Sequence, residues 1–342
     1  MRKLPTMKDV AEKAGVSVMT VSRAFKADTS VNEDKRRRIL SIADSMGYVF
    51  DSTASNLRSQ KSGFVAVIVP TISNPNFADT VDELSNVVSA AGLQVLLGYD
   101  RYDLAEEERL IARLLGRRPE AIVVTGGRHT ERGERLLREA GIPVIETWDM
   151  PDKPIGHVVG FSNRASSAQM VAHLVADGRK NIAFIGGDFD GDSRGMERRH
   201  GFLDAMKQAG LEPAALIPLG GPSDFRNGAA AMAQLLDTCP ETDAVIGVFD
   251  HAAFGALTEC QRRNIRVPED IAIAGFGATD IAAVSVPGLT TLDPRASEIG
   301  QRAGELIIDL LYNPSTAEAP GIHHVNPVLK VGQSTAHVSA KA

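Results

Sequence analysis

The sequence predicts a small all-α helix-turn-helix headpiece joined to an α/β core of two doubly wound parallel-sheet lobes. Residues 9–25, DVAEKAGVSVMTVSRAF, contain two short apolar patterns of helical spacing separated by a glycine. After Gly63, short apolar runs alternate with amphipathic helical segments, and this series occurs twice. A chain of 342 residues is long enough for two or three such units.

Composition is typical of a soluble globular protein. Hydrophobic residues make up 43% of the chain and charged residues 23%, with a mean hydropathy of -0.08. The opening MRKLPTMKDV has no apolar signal segment and no run is long enough for a membrane span, so we expect a cytoplasmic, nucleoid-associated protein without membrane contact. Cys239 and Cys260 lack metal-ligand spacing and are expected to be reduced thiols. The sequence therefore predicts no cofactor and no metal.

Charge is distributed unevenly along the chain. The whole protein has a formal net charge of -6, yet residues 1–61 hold 12 Lys and Arg against 7 Asp and Glu, which is +5 and leaves -11 for the remainder. This asymmetry indicates a basic head suited to a polyanion and an acidic body that is repelled by one.

Two short helices are predicted in the head. Thr6 followed by Asp9 indicates a capping box for the first helix, which Gly15 ends. Ser17 is predicted to cap the second helix. Apolar residues at helical spacing then continue through it at Val18, Val21, Ala24 and Phe25. Such a pair is typical of a helix-turn-helix, whose second helix lies in the DNA major groove.

A third helix is predicted from the N-cap Asn32 to Gly47. Its basic cluster, residues 35–38, is interpreted as a solvated face that also touches phosphates. An ordinary three-helix bundle without a ligand is the alternative. The exposed hydrogen-bonding side chains of the second helix and the basic charge of this segment argue against it.

The stretches TMKDVAEKAGVSVMTVSRAF and VNEDKRRRILSIADSMGYVFDSTASNLRS resemble the headpiece and hinge of the LacI/GalR family of transcriptional repressors. The resemblance implies that Val18, Met19 and Arg23 face bases, and that the segment after Tyr48 becomes a hinge helix that inserts Leu57 into the minor groove. Val18 and Met19 can offer only apolar contact, so hydrogen-bond readout falls mostly to Arg23. The DNA-binding residues predicted in this way are Thr6, Ser17, Val18, Met19, Thr20, Ser22, Arg23, Lys26, Tyr48, Ala54 and Leu57.

The domain boundaries follow from these patterns. We expect the headpiece over residues 1–49, a hinge over 50–62, and a core for effector binding and dimerisation over 63–342. Within the core, the first lobe is expected at about 63–160 and 292–322, and the second at about 163–290 and 325–338.

Ligands of open parallel sheets bind at the carboxyl ends of the strands, which is where candidate effector residues are sought. The body also resembles the effector-binding core of the same family, which is similar to periplasmic sugar-binding proteins. This resemblance implies a cleft ligand, a homodimer, and an effector-gripping arginine at Arg198. The predicted effector-binding residues are Ser73, Phe77, Arg128, His129, Glu146, Trp148, Asp149, Arg194, Arg198, Phe249, Asp250 and Asp280.

The pocket composition favours an acidic effector. Phe249 stands where the family usually has an asparagine and Gly277 where it has an acid, while several basic residues lie nearby. A sugar acid requires fewer carboxylates and more donors than a neutral sugar. Together with TGGRHT, IPVIETWDMP and VFDHAAFGALTECQ, this pattern most resembles the gluconate-operon repressors within the family. We therefore expect a repressor that binds a pseudo-palindromic operator and is released by gluconate or a ketogluconate.

Several alternatives remain open at this point. The effector could be a neutral sugar, or it could act as a corepressor. The C-terminus has no leucine heptad, so a dimer is expected rather than a tetramer. A sugar-acid enzyme is disfavoured because GGDFDG lacks the dinucleotide-binding spacing and no nucleophile accompanies Asp250 and His251. A freestanding binding protein is disfavoured by the attached headpiece.

Overall fold

The computed structural model describes residues 4–25, 30–50, 62–313 and 320–336, and the chain divides into two units, residues 1–62 and 63–342. The helices described in the first unit are α1 (Met7–Ala14), α2 (Val18–Phe25) and α3 (Glu33–Ser45). They share one apolar core in which small side chains allow the helices to cross closely. Its buried residues are Val10, Ala11, Ala14, Val21, Ala24, Val31, Ile39 and Ala43.

The helix ends of the headpiece follow the predicted capping. The N–H of Thr6 donates to the Asp9 carboxylate at 2.7 Å, and the N–H of Asp9 donates to Thr6 Oγ1 at 3.3 Å. Gly15 adopts a left-handed φ of +64° and ends α1. Ser17 Oγ accepts the N–H of Thr20 at 3.1 Å at the start of α2. These side chains satisfy backbone donors that the helix itself leaves unpaired.

The first lobe of the core contains a fully parallel sheet. Its strands are β1 (Phe64–Val69), β2 (Gln94–Tyr99), β3 (Ala121–Thr125), β4 (Val144–Thr147), β5 (His157–Gly160) and β11 (Ile322–His324). They run in the order β11-β5-β4-β3-β1-β2. Helices of this lobe are α4 (Pro75–Ala90), α5 (Leu104–Leu115), α6 (Glu131–Arg138) and α12 (Ala296–Tyr312). Strands β1 and β3 are nearly continuous apolar runs because helices cover both faces.

The second lobe repeats this architecture. Its strands are β6 (Ile182–Ile185), β7 (Ala215–Ile217), β8 (Ala244–Gly247), β9 (Ala272–Phe276), β10 (Thr290–Asp293) and β12 (Val328–Lys330). Their order is β12-β10-β9-β8-β6-β7, parallel except for β12. The helices are α7 (Asn163–Ala176), α8 (Ser193–Gln208), α9 (Phe225–Thr238), α10 (Asp250–Arg262) and α11 (Asp280–Val284), followed by a 3-10 turn (Gln333–Thr335). The two sheets confirm the predicted doubly wound fold.

The chain crosses between the lobes after β5, after β10 and after β11. Strand β10 belongs wholly to the second lobe, so the expected boundary at residue 292 moves beyond residue 293. Strand β11 extends the first lobe from the expected residue 322 to 324. Both shifts arise because sheet pairing continues past the apolar residues that the sequence pattern marks. No helix within the described ranges is long and apolar enough to cross a membrane.

Candidate functional site

Helix α2 exposes the residues at its N-terminus. Val18 and Met19 are 43% and 58% exposed, whereas Val21 and Ala24 are buried in the headpiece core. Arg23 is also exposed. Burial in the headpiece core therefore does not explain why two apolar side chains lie at the solvent-exposed start of this helix.

The polar residues predicted beside them have mixed roles. Ser17 Oγ and Thr20 Oγ1 are 2.9 Å apart, so both hydroxyls take part in capping α2. Thr6 belongs to the capping box of α1. Tyr48 is half-buried, and its ring packs edge-on against Phe25 at 5.7 Å between centroids. These contacts hold the exposed face of α2 in position.

The remaining predicted DNA-binding residues give less information. Ser22 is half-buried on α2. Lys26, Ala54 and Leu57 lie outside the described residues. The structure thus describes the helix that the sequence assigns to base reading, while the predicted hinge contacts stay predictions.

Arg198, on α8 of the second lobe, is 2% exposed. Its guanidinium carbon lies 4.2 Å from the ring centroid of Phe249 and 4.3 Å from that of Phe276. Nη1 donates to Asn163 Oδ1 at 2.7 Å, but Nε and Nη2 have no hydrogen-bond partner among the described residues. Burial lowers the pKa of Arg198 to about 10, so the group remains charged at neutral pH. Because Nε and Nη2 form one edge of the guanidinium, Arg198 can donate two parallel hydrogen bonds to a carboxylate.

Arg194, one turn earlier on α8, reaches from the second lobe to the first. It is 4% exposed, and Nη1 donates to the carbonyl of Thr125 at the end of β3 at 3.1 Å. Its Nε has no hydrogen-bond partner within the described ranges. Gly126 has a φ of +102°, and a Cβ at this position would lie 2.7 Å from Arg194 Nη1. The positive φ favours glycine at 126, and the missing Cβ leaves room for the Arg194 guanidinium against β3.

Asp192 lies at the start of α8 beside both arginines. Its Oδ1 is 3.7 Å from Nη2 of Arg194, and its Oδ2 is 3.9 Å from Nη2 of Arg198. Both distances are ion-pair distances that exceed hydrogen-bond length. Oδ1 of Asp192 has no hydrogen-bond partner in the described part of the chain.

Asp100 and Tyr102 approach this cluster from the loop after β2. The N–H of Tyr102 donates to Asp100 Oδ1 at 2.8 Å. Burial raises the pKa of Asp100 to about 6 and raises the pKa of the Tyr102 phenol well above its usual range. The phenol therefore stays protonated at neutral pH, and Asp100 becomes neutral in mildly acidic solution.

Buried aromatic side chains of the first lobe pack beside Arg194. Phe77 packs edge-on against Trp148 at 5.1 Å between centroids, and the guanidinium carbon of Arg194 lies 5.7 Å from the Phe77 ring centroid. The indole N–H of Trp148 donates to Thr80 Oγ1 at 3.2 Å, so its single donor is already used. Asp149 follows as a half-buried residue whose charge acts on Arg198.

A cavity of about 250 Å³ opens between the lobes close to this cluster. Ser73, Asn74 and Tyr102 line it from the first lobe, and Phe249 and His251 line it from the second. Ser73 and Phe249, which are both among the predicted effector residues, therefore line the same cavity. Its volume is close to the lower end of the range for small-molecule pockets.

Arg128 joins the two lobes at an exposed position. Its Nη1 lies 3.0 Å from Asp190 Oδ1, and the Arg128 side chain is 47% exposed. Exposed ion pairs of this kind contribute about 1 kcal/mol or less. Arg128 therefore lies at the surface, in contrast to the buried arginines of α8.

His129 and Glu146 lie together, buried inside the first lobe. His129 Nδ1 is 2.9 Å from Glu107 Oε2, and its Nε2 is 3.8 Å from Glu146 Oε1. Glu146 Oε2 accepts the N–H groups of Ile155 and Gly156. Burial alone would lower the pKa of His129, but the two carboxylates outweigh it and raise the pKa to about 9. The described contacts of His129 and Glu146 are made within the first lobe, and their role in effector binding stays a prediction.

Asp250 and Asp280 also differ from the expectation. Asp250 is 1% exposed, and its carboxylate accepts hydrogen bonds from Thr291 Oγ1 and from both the N–H and hydroxyl of Thr279. It anchors the loop after β9. Asp280 is exposed, and its charge acts on Asp79 of α4. The described contacts thus give Asp250 a structural role and leave Asp280 outside the arginine cluster.

The predicted effector residues did not include Asp192, Asn163, Phe276 or Asn76, although Asp192 and Phe276 fall within the strand-end stretches 188–198 and 276–280. Asn76 Nδ2 has no hydrogen-bond partner among the described residues, and a Cβ at Gly277 of the other lobe would lie 2.9 Å from it. Asp192 fell within a strand-end stretch that the sequence did mark, so its position gave a partial signal. Asn163 and Phe276 both contact Arg198, and a linear sequence does not reveal contacts between such distant segments.

The headpiece exposes one face of a helix, and the two-lobed core buries arginines with free hydrogen-bond donors. These two features together define the class of ligand-responsive DNA-binding regulators. A family model for bacterial regulatory proteins of the lacI family matches residues 6–51, and a model for a periplasmic binding protein-like domain matches residues 171–335.

Full-length relatives agree with these domain matches. The HTH-type transcriptional regulator GntR of Pseudomonas aeruginosa is 35% identical, over 90% of this chain and 89% of that protein. The HTH-type transcriptional regulator IdnR of Escherichia coli is 30% identical, over 90% of this chain and 92% of that protein. The crystal structure of a LacI family transcriptional regulator from Silicibacter pomeroyi superposes with a TM-score of 0.91 at 30% identity, covering 97% of this chain and 99% of that chain. The chain belongs to the LacI family and is a ligand-responsive transcriptional regulator, as predicted, and not an enzyme.

Proposed function

We propose that this regulator is a repressor that binds a pseudo-palindromic operator as a homodimer and is released by a sugar acid, gluconate or a ketogluconate. The observation that carries the effector assignment is the unpartnered Nε and Nη2 edge of Arg198, buried beside a second arginine, Arg194. A buried guanidinium edge matches the two oxygens of a carboxylate. A neutral sugar has no group that would use two cationic donors equally well.

The DNA part of the proposal rests on α2. Its exposed Val18 and Met19 suit contact with thymine methyl groups, and Arg23 suits hydrogen bonding to a guanine edge. In this proposal Leu57 acts as a minor-groove wedge at the operator centre. The major-groove contacts specify the sequence, while basic residues of the headpiece position it on the phosphates.

The homodimer is supported by exposed apolar side chains on both lobes of the core. Leu97 and Tyr99 on the edge strand β2 are 40% and 44% exposed, and Val284 at the end of α11 and Val286 after it are 75% and 77% exposed. Exposed apolar side chains on the surface of the core are available for burial against a second copy of the chain. A twofold dimer would also match a pseudo-palindromic operator.

Release by the effector requires that ligand binding favour one arrangement of the lobes. Contacts across the cleft already include Arg194 with Thr125 and Arg128 with Asp190. The effector can change DNA affinity only through its different affinities for the two states of the core, typically by about 1–3 kcal/mol. We propose that the closed, liganded state is the weaker operator binder.

A thermal-shift screen tests the effector assignment. The purified protein is heated with D-gluconate, 2-ketogluconate or 5-ketogluconate, and with D-glucose and D-glucitol as neutral controls. A bound ligand stabilises the folded protein by RT ln(1 + [L]/Kd), so an effector raises the melting temperature with concentration. Stabilisation by an acid alone supports the proposal. Stabilisation by a neutral sugar and by none of the acids would contradict it.

A further inference from the structure

The carboxylate of Asp192 occupies an unusual position for the first residue of a helix. Asp192 is the N-cap of α8, yet its side chain makes no capping hydrogen bond. Aspartate at this position normally accepts an N–H of the first turn, which stabilises the helix. Here the carboxylate instead lies beside two buried guanidinium groups.

The contacts of Asp192 are electrostatic without being good hydrogen bonds. The distances to Nη2 of Arg194 and Nη2 of Arg198 are 3.7 and 3.9 Å, and Oδ1 has no hydrogen-bond partner among the described residues. Gly195 makes room for this placement, because a Cβ there would lie 2.5 Å from Asp192 Oδ2. The position is therefore built into the first turn of α8.

The two arginines need an anionic neighbour when no ligand is bound. Both are at most 4% exposed, and their like charges repel each other at close range in a medium of low dielectric constant. Asp192 lies beside both Nη2 atoms and compensates that charge. The Nε atoms of both arginines and Nη2 of Arg198 nevertheless have no hydrogen-bond partner in the described part of the chain. Better acceptors than Asp192 can thus bind there.

We propose that Asp192 is a built-in counter-ion that competes with the carboxylate of the effector for Arg194 and Arg198, and so sets how tightly the cleft binds acids. The proposal rests on the sugar-acid function above. On binding, the effector carboxylate takes the free donor edges, and Asp192 turns back to cap α8. Asp192 thereby keeps the ligand-free cleft stable and lowers its affinity for acids.

Isothermal titration calorimetry of the full-length chain with D-gluconate tests this role. Asp192→Asn removes the charge but keeps a good N-cap residue. We expect it to bind gluconate about tenfold more tightly than the wild type, since a competing carboxylate is gone. Glu197→Gln removes the same charge from an exposed site on α8, paired with Arg164, and should leave gluconate affinity unchanged.

D-Glucitol, which carries a hydroxymethyl group in place of the carboxylate, is the second probe. Its binding should not tighten in Asp192→Asn, because it has no charge for which Asp192 competes. Unchanged or weaker gluconate binding in a folded Asp192→Asn variant would overturn the proposal and indicate that Asp192 accepts hydroxyl groups of the ligand. If Asp192→Asn does not fold, Asp192→Ser is titrated with gluconate instead. Serine also caps helices and carries no charge, so the same tighter binding is expected. If the wild type binds none of the sugar acids, the sugar-acid function itself fails and this inference with it.

Discussion

Replacing Arg198 with methionine tests the proposed anion site where the structure is most explicit. Methionine keeps the unbranched side chain and can pack between Phe249 and Phe276, but it cannot donate hydrogen bonds. Each charge-assisted hydrogen bond contributes about 1.5 kcal/mol or more, and the free edge of Arg198 offers two of them. The loss of about 3 kcal/mol corresponds to a dissociation constant for gluconate that is roughly 150 times higher.

The same substitution should change the stability of the ligand-free protein much less. Burial already lowers the pKa of Arg198, which reflects the cost of keeping this charge out of water. Calorimetric titration with gluconate and a melting temperature without ligand separate the two effects. Arg164→Met on α7 is a matched control, because Arg164 is 51% exposed and pairs with Asp204 at the surface. A folded Arg198→Met variant that binds gluconate within threefold of the wild type would refute the reasoning.

Three further predictions concern other parts of the molecule. His129 has a pKa raised to about 9, above its unfolded value, so its stabilisation is complete below about pH 6.5 and is lost as the pH rises through 9. His129→Gln should flatten the decline in melting temperature between pH 7 and 10, and an unchanged slope would disprove this assignment. Met19→Ala should weaken operator binding by about 1 kcal/mol and leave headpiece stability unchanged, because Met19 is 58% exposed. If fluorescence anisotropy gives the same operator affinity for the variant and the wild type, Met19 does not contact a base. Gly126→Ala should destabilise the core by about 1 kcal/mol or more, because of its φ of +102° and the clash with Arg194, and urea unfolding measures that loss.

The sequence predicts those structural elements whose conformation is set by residues close together in the chain. The capping box of Thr6 and Asp9, the end of α1 at Gly15 and the apolar strands of both sheets all depend on neighbouring residues, and they match the structure. The resemblance to the family also selected Arg198 as an effector contact; the structure buries this side chain, and the contact stays a prediction.

The remaining site residues depend on packing between distant segments. Glu146 lies near the end of β4, and Asp250 begins α10 shortly after β8, but their carboxylates accept hydrogen bonds from nearby backbone and threonine groups. A strand-end position does not reveal which side of the sheet a side chain faces, because adjacent residues point to opposite faces. The pairing of Asp192 with two arginines likewise depends on how α8 begins, which composition alone does not determine.

Binding of a fluorescent operator duplex, titrated with D-gluconate at fixed salt concentration, tests the central claim most directly. The promoter region next to this protein's own coding sequence is a natural source of candidate duplexes. The account predicts high-affinity, sequence-specific binding that gluconate or a ketogluconate weakens, and that the same concentration of D-glucitol leaves unchanged. Specific binding that no sugar acid alters, but that a neutral sugar releases, would contradict it.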